Sequence, residues 1–161
     1  MNKLRIETVA IGKLQSDPDN ARKHSKKNLE AIAGSLKRFG QRKPIVVTGA
    51  NIVIAGNGTL EAAKSLGWSE IVVAYTPSDW SYEDARAYAL ADNRTAELAE
   101  WDNDKLAMQL IELDAVGYEL DDVGFEKLEP PTEELKERKN KMIDCDQCGR
   151  KVLNAESTQT S

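Results

Sequence analysis

Apolar and polar residues alternate in recognisable periods along most of the chain. Leu4, Ile6 and Val9 sit among polar neighbours, which predicts a half-buried first strand. Residues 15–27 (Q-S-D-P-D-N-A-R-K-H-S-K-K) are polar, and Asp17-Pro18-Asp19-Asn20 is a strong turn signal. Leu29, Ile32, Ala33, Leu36 and Phe39 recur at helical spacing, predicting a helix over 28–39 that stops at Gly40. Pro44 forbids helix and forces Lys43 extended, so Ile45, Val46 and Val47 read as a strand. Thr48-Gly49-Ala50-Asn51 then reads as a hairpin turn into a second apolar strand, Ile52 to Ile54.

After that strand comes a glycine turn, with Gly56 and Gly58 bracketing Asn57. Thr59 is the expected first polar residue of a helix. Leu60, Ala63 and Leu66 form its inner face, and Gly67 ends it. A further strand follows over 70–75. Ser81 and Asp84 resemble a capping pair at the start of another helix. That helix should run to about Glu100, with an interruption near Asp92-Asn93. Asp102 or Asn103 should cap a last helix carrying Leu106, Leu110 and Leu113, with Gly117 as its stop. The expected fold class is α/β (α+β), a short mixed sheet with flanking helices. The core domain should cover residues 1–128. A charged linker or short helix should follow over 129–141, and a flexible C-terminal tail over 142–161.

Composition narrows the function classes. The chain has 161 residues, 30% of them charged, and a net charge of −5. An acidic chain does not bind nucleic acid by bulk charge, so any DNA contact must come from a local patch. Arg22, Lys23, Lys26 and Lys27, with His24 among them, form the most basic cluster. They are the candidate DNA contacts, or else an ordinary solvated loop. No apolar run approaches the roughly 20 residues of a membrane span, and the first residues lack a signal-peptide core. The expected location is cytoplasmic.

The glycine turn carries the main candidate chemistry. A helix start leaves backbone N–H groups unpaired and partly positive. Glycines let the backbone approach a ligand closely, so G-N-G-T at 56–59 suits a phosphate group. The alternative is a strand-to-helix turn with glycines for geometry alone. Cys145 and Cys148, spaced C-x-x-C, supply two of the four ligands a structural Zn²⁺ needs. Pairing two chains would complete such a site; the alternative is an incomplete ribbon.

Four segments together resemble the ParB/sulfiredoxin superfamily, in particular the stand-alone ParB-like N-terminal domains of phages and prophages. They are D-P-D-N-A-R-K-H-S at 17–25, F-G-Q-R-K-P-I-V-V at 39–47, A-G-N-G-T-L-E-A-A-K-S-L-G-W at 55–68, and A-D-N-R-T-A-E-L-A-E-W-D at 91–102. The resemblance covers about residues 4–128 and includes no helix-turn-helix. It implies a small α/β domain that binds CTP, ATP or ADP, with Mg²⁺. On that resemblance, Gly56, Asn57, Gly58 and Thr59 match the phosphate-binding turn. Gly40, Gln41 and Arg42 match a segment beside the nucleotide. Asp92, Asn93 and Arg94 resemble the box that holds metal and triphosphate, with Asp92 the Mg²⁺ ligand. Asp92 and Asn57 are the candidate catalytic residues.

The chain departs from many relatives at Thr59, where they carry arginine, and at Asn57, where they carry a titratable side chain. Asparagine is a poor general base near neutral pH. The resemblance therefore implies a nucleotide-binding domain in DNA processing or modification, whose partners include nucleotide, a second copy of the chain, and DNA reached through a methyltransferase or terminase. An NTPase, kinase or nuclease, and an interaction module without ligand, are the alternatives.

Overall fold

The structure, a computed structural model, describes residues 4–126, 142–144 and 151–153. The chain divides into two compact units. One comprises Met1–Trp101 with Asp121–Gly124, and the other Asp102–Leu120 with Phe125–Ser161.

The first unit is built on a five-stranded mixed sheet. Its strands are β1 (Arg5–Ala10), β2 (Gln15–Ser16), β3 (Ile45–Val47), β4 (Ile52–Ala55) and β5 (Glu70–Tyr75), in spatial order β1-β5-β3-β4-β2. β1 runs antiparallel to β5, β3 parallel to β5, β3 antiparallel to β4, and β2 parallel to β4. The β3–β4 hairpin closes as expected: the Asn51 N–H donates to Thr48 O at 2.9 Å, with Asn51 at φ 62°.

Helices α1 (Lys26–Phe39) and α2 (Asn57–Ser65) pack together, and α2 also meets β3. Helix α3 (Tyr82–Glu97) lies against β4. The core joins Leu36 of α1 and Leu60, Ala62 and Ala63 of α2 to Ile45, Val47, Val53, Ile71 and Val73 of the sheet. Six of these carry 0–1% exposure, so the apolar runs at 45–47, 52–54 and 60–63 supply most of the burial that drives folding.

The first strand is less buried than its sequence predicts. Side chains alternate faces with period two, so Leu4 and Ile6 share one face and Val9 takes the other. Only Val9 packs on the core; Leu4 and Ile6 are 67% and 51% exposed on an edge strand. Phe39, expected on the inner face of α1, is also exposed at the helix end.

Gln41 has a structural task. Its Nε2 donates to Val72 O and its Oε1 accepts from Val72 N, both at 2.8 Å. One side-chain amide thereby acts as an extra rung on β5, just before β3 begins its own pairing at Ile45.

Helix α3 is continuous over 16 residues, without the interruption expected at Asp92-Asn93. Asn93 Nδ2 donates to Ala89 O and Thr95 Oγ1 to Ala91 O, so both side chains bond the preceding turn of the helix rather than break it. Its start is a full capping box: Ser81 Oγ accepts from Asp84 N, and Asp84 Oδ2 accepts from Ser81 N.

In the second unit, Asp102 caps α4 (Asn103–Ala115) by accepting from Lys105 N at 3.1 Å. Met142–Asp144 (β6) and Lys151–Leu153 (β7) pair as an antiparallel two-stranded sheet. Both strands fall in the segment expected as a C-terminal tail carrying the C-x-x-C. The charged linker at 129–141 and the cysteines at 145 and 148 lie outside the described residues. No helix among the described residues is long and apolar enough to cross a membrane.

Candidate functional site

The site is organised by the junction of β4 and α2. A single residue, Gly56, joins them at φ 94°, ψ 26°, a left-handed conformation that a side chain disfavours. A Cβ there would also meet Ile45 Cγ2 at 2.5 Å. The junction therefore needs glycine for both conformation and space. Asn57 is already the first helical residue, so the helix begins two residues before Thr59 and the turn is shorter than expected.

No side chain caps α2, and its first turn has no acidic residue. Its first intrahelical bond runs from Leu60 N to Gly56 O at 3.0 Å. The backbone N–H groups of Asn57, Gly58 and Thr59 precede that bond, which is the arrangement that attracts an anion.

The Asn57 side chain is already engaged with backbone at both ends. Its Nδ2 donates to Val53 O at 2.9 Å, and its Oδ1 accepts from Asp17 N at 3.3 Å. The second bond ties the 17–25 loop to α2 across 40 positions of sequence. Asn57 thus positions the loop, and its carboxamide has no acid–base chemistry to offer.

That loop closes one side of a cavity of about 170 Å³, lined by Asn20, Arg22, His24, Gly56, Asn57, Gly58, Thr59, Asp92 and Asn93. Asn20 fixes the loop by accepting from Arg22 N and donating to Arg22 O, both at 3.1 Å. His24 Nδ1 lies 2.7 Å from Asn28 Oδ1, and the ring stands over Gly58, where a Cβ would meet its Cε1 at 2.7 Å. The second glycine is therefore a steric partner of the histidine.

A larger neighbouring cavity, about 650 Å³, shares Asn20, Arg22 and Asn93 with the first. Arg22, Lys23, Arg86 and Arg94 line it, facing Asp17, Asp19 and Glu97. Arg22 Nη1 donates to Glu97 Oε1 at 2.6 Å, while Arg94 Nη1 reaches Glu97 Oε2 at 3.4 Å. The Tyr82 hydroxyl donates to Asp19 Oδ2 at 2.8 Å, and that bond is the main cause holding the phenol above its ordinary range. Burial, and then the charge of Asp92, raise Tyr88 one turn earlier on α3.

The sequence-predicted residues divide into two groups. Gly56, Asn57, Gly58, Thr59, Asp92 and Asn93 meet around the smaller cavity, and Arg94 lines the larger. Gly40, Gln41 and Arg42 line neither; Gln41 serves β5. Of the basic cluster, Arg22 faces both cavities and Lys23 the larger. Lys26, by contrast, lies in the first turn of α1 and pairs with Glu30 at 3.6 Å. Lys27, the fourth candidate DNA contact, is exposed beside it. Sequence reasoning missed Asn20, Arg86 and Glu97, and placed His24 in the basic cluster without its seat over Gly58. Glu97 stands three residues after Arg94, an ordinary helical charge pair, and nothing local points to its shorter bond with Arg22, 75 positions away.

No group of three or more His, Cys, Asp or Glu residues able to hold a metal occurs among the described residues. A single carboxylate such as Asp92 suffices for Mg²⁺ where ligand phosphates and water supply the rest of its coordination. The arrangement can thus accept a polyanion: amides and Arg22 toward one end, cations and a roomy cavity toward the other.

Comparison with known proteins agrees with this architecture. Residues 1–99 match the family model described as ParB N-terminal domain. A relative named ParB-like nuclease domain-containing protein YnaK, from Escherichia coli strain K12, is 31% identical over 71 residues, which is 44% of this chain and 82% of that protein. Among solved structures, the fold is similar to that of the C-terminally truncated chromosome-partitioning protein ParB from Caulobacter crescentus, complexed with CTP-gamma-S. The TM-score is 0.63 at 16% identity, over 76% of this chain and 72% of the other, a likeness of fold. With the family model covering most of the chain and this sheet-and-helix order beneath it, the chain belongs to the ParB N-terminal domain family.

Proposed function

We propose that this chain binds a nucleoside triphosphate, CTP or ATP, with its phosphates at the start of α2 and its remainder in the larger cavity. One observation carries the reading: the uncapped N-terminus of α2 opens into a cavity that also holds Arg22 and Asp92. Backbone amides and an arginine neutralise phosphate, and a carboxylate completes the shell of a phosphate-bound Mg²⁺. The similar fold of a protein solved with CTP-gamma-S supports the same ligand class. Binding without efficient turnover fits Asn57, whose amide is held by Val53 and Asp17 and cannot act as a base.

We place this binding in DNA processing or DNA modification; a relative named for a nuclease domain and a fold neighbour named for chromosome partitioning support that reading. The chain's net charge of −5 favours DNA contact through a partner protein. The test is calorimetric titration with CTP, ATP, GTP and UTP, with and without Mg²⁺, alongside Arg22→Gln and an assay of released phosphate. Saturable binding of one nucleotide, weakened about tenfold or more by Arg22→Gln, is the expected result; a charge-assisted contact of this kind is worth about that much. No binding of any of the four at millimolar concentration would overturn the reading. Released phosphate would replace a binding domain by an enzyme.

A further inference from the structure

Glu97 is the carboxylate that two of the arginines lining the larger cavity share. Its two carboxylate oxygens face two different arginines: Oε1 accepts from Arg22 at 2.6 Å and Oε2 from Arg94 at 3.4 Å. Arg22 arrives on the loop and Arg94 on α3, so the carboxylate bridges the two elements that bound the site. The backbone of Arg22 is held by Asn20, which leaves its guanidinium to seek an anion from a fixed base. Arg22 is also the cation shared with the smaller cavity at the start of α2. A phosphate entering between these groups finds its best guanidinium already occupied by a carboxylate of similar geometry.

We propose that Glu97 is an internal stand-in for a ligand phosphate, so that nucleotide binding proceeds by exchanging a carboxylate for a phosphate on Arg22 and Arg94. The inference rests on the nucleotide reading above and adds what sets its strength. The exchange satisfies the arginines in both states, so the unliganded site never presents two unpaired guanidinium groups to each other. It also makes the site selective for ligands whose charge and reach can displace Glu97, which an uncharged nucleoside cannot do. The pair is partly exposed, 43% at Arg22 and 47% at Glu97, so the barrier it sets is modest.

The test compares wild type, Glu97→Gln and Glu83→Gln in calorimetric titrations with CTP and with cytidine. Glu83→Gln removes the same charge from the exposed first turn of α3, away from both arginines. Glu97→Gln is expected to bind CTP about two- to fivefold more tightly, the scale of an exposed ion pair, with Glu83→Gln unchanged and cytidine unaffected in all three. Tighter binding by Glu97→Gln where wild type shows none would support the stand-in role while overturning nucleotide binding by the native chain. Equal or weaker CTP binding by Glu97→Gln, in a variant whose melting curve matches wild type, would overturn the stand-in role and leave the nucleotide reading in place. An equal gain in Glu83→Gln would overturn it too, by reducing the effect to net charge. Absence of CTP binding in all three proteins, with ATP, GTP and UTP also failing to bind, would overturn both.

Discussion

The start of α2 and the second half of α3 face the same small cavity, yet different forces hold them there. The α2 end grows out of buried strand β4 and is flanked by Ile54, Ala55, Gly58 and Leu60, all buried. Its contribution is backbone, positioned by packing. The α3 end contributes Asp92, Arg94 and Glu97, all exposed, with Arg94 at 65%. Its contribution is charge, with Arg94 paired to Glu97 and Glu97 to Arg22. Packing is steep in distance, whereas exposed charge pairs are weak and screened. Substitutions at the first end should therefore damage the fold, and those at the second should change binding alone.

The largest expected effect is at Gly56. Gly56→Ala combines a positive φ with a Cβ 2.5 Å from Ile45 Cγ2. It should destabilise the chain by about 2–4 kcal/mol in chemical denaturation. A change within 0.5 kcal/mol, roughly the noise of a surface substitution, would break the comparison at its stronger end.

Gly58→Ala should cost about 1–2 kcal/mol, because its Cβ collides with the His24 ring. In a His24→Ala background the same change should become neutral or stabilising, since alanine favours a helix over glycine by about 0.5–1 kcal/mol. Additive effects in that double-mutant cycle would show that the glycine answers to something other than the histidine.

At the α3 end, Asp92→Ala should leave stability within about 0.5 kcal/mol of wild type. It should nonetheless remove most of the Mg²⁺ dependence of nucleotide binding in calorimetry. Full retention of that dependence would place the metal contact elsewhere.

The smallest effect concerns pH. Hydrogen bonds from the Ser81 backbone and hydroxyl hold the Asp84 carboxyl below its ordinary value. A depressed carboxyl stabilises the fold fully above the unfolded value of about 3.9 and loses that stabilisation as pH falls through the lower folded value. Wild type and Asp84→Ala should thus differ slightly at neutral pH and converge in acid. A difference that persists below pH 2 would mean the cap acts by packing.

The two ends also differed in how far the sequence revealed them. Val53, Leu60 and Ala63 announce their burial by period, and Gly56 announces the turn, because packing writes a local apolar pattern. Asp92-Asn93 reads as a break only if side-chain bonds back to the helix are ignored; Asn93 makes one to Ala89. β2 is two polar residues long, and its place beside β4 is fixed by pairing across 37 positions, as from Gln15 to Ile52, which leaves no periodic trace. The bond from Asp17 to Asn57 and the pair of Arg22 with Glu97 are likewise non-local. The half of the site made by the core was legible by period; of the charged half, Arg22, Asp92 and Arg94 stood out in the sequence, whereas Glu97 and its pairing with Arg22 did not.

The one-residue link at Gly56 has a mechanical meaning. Two elements joined by a single constrained residue, one of them inside the sheet, move as a single lever without a hinge. The start of α2 is then an anvil. On the proposed reading, any travel that accompanies ligand capture belongs to the loop and to α3, which hold each other through the Arg22–Glu97 ion pair and the Tyr82–Asp19 hydrogen bond, so opening and closing can be tuned there without touching the rigid start of α2.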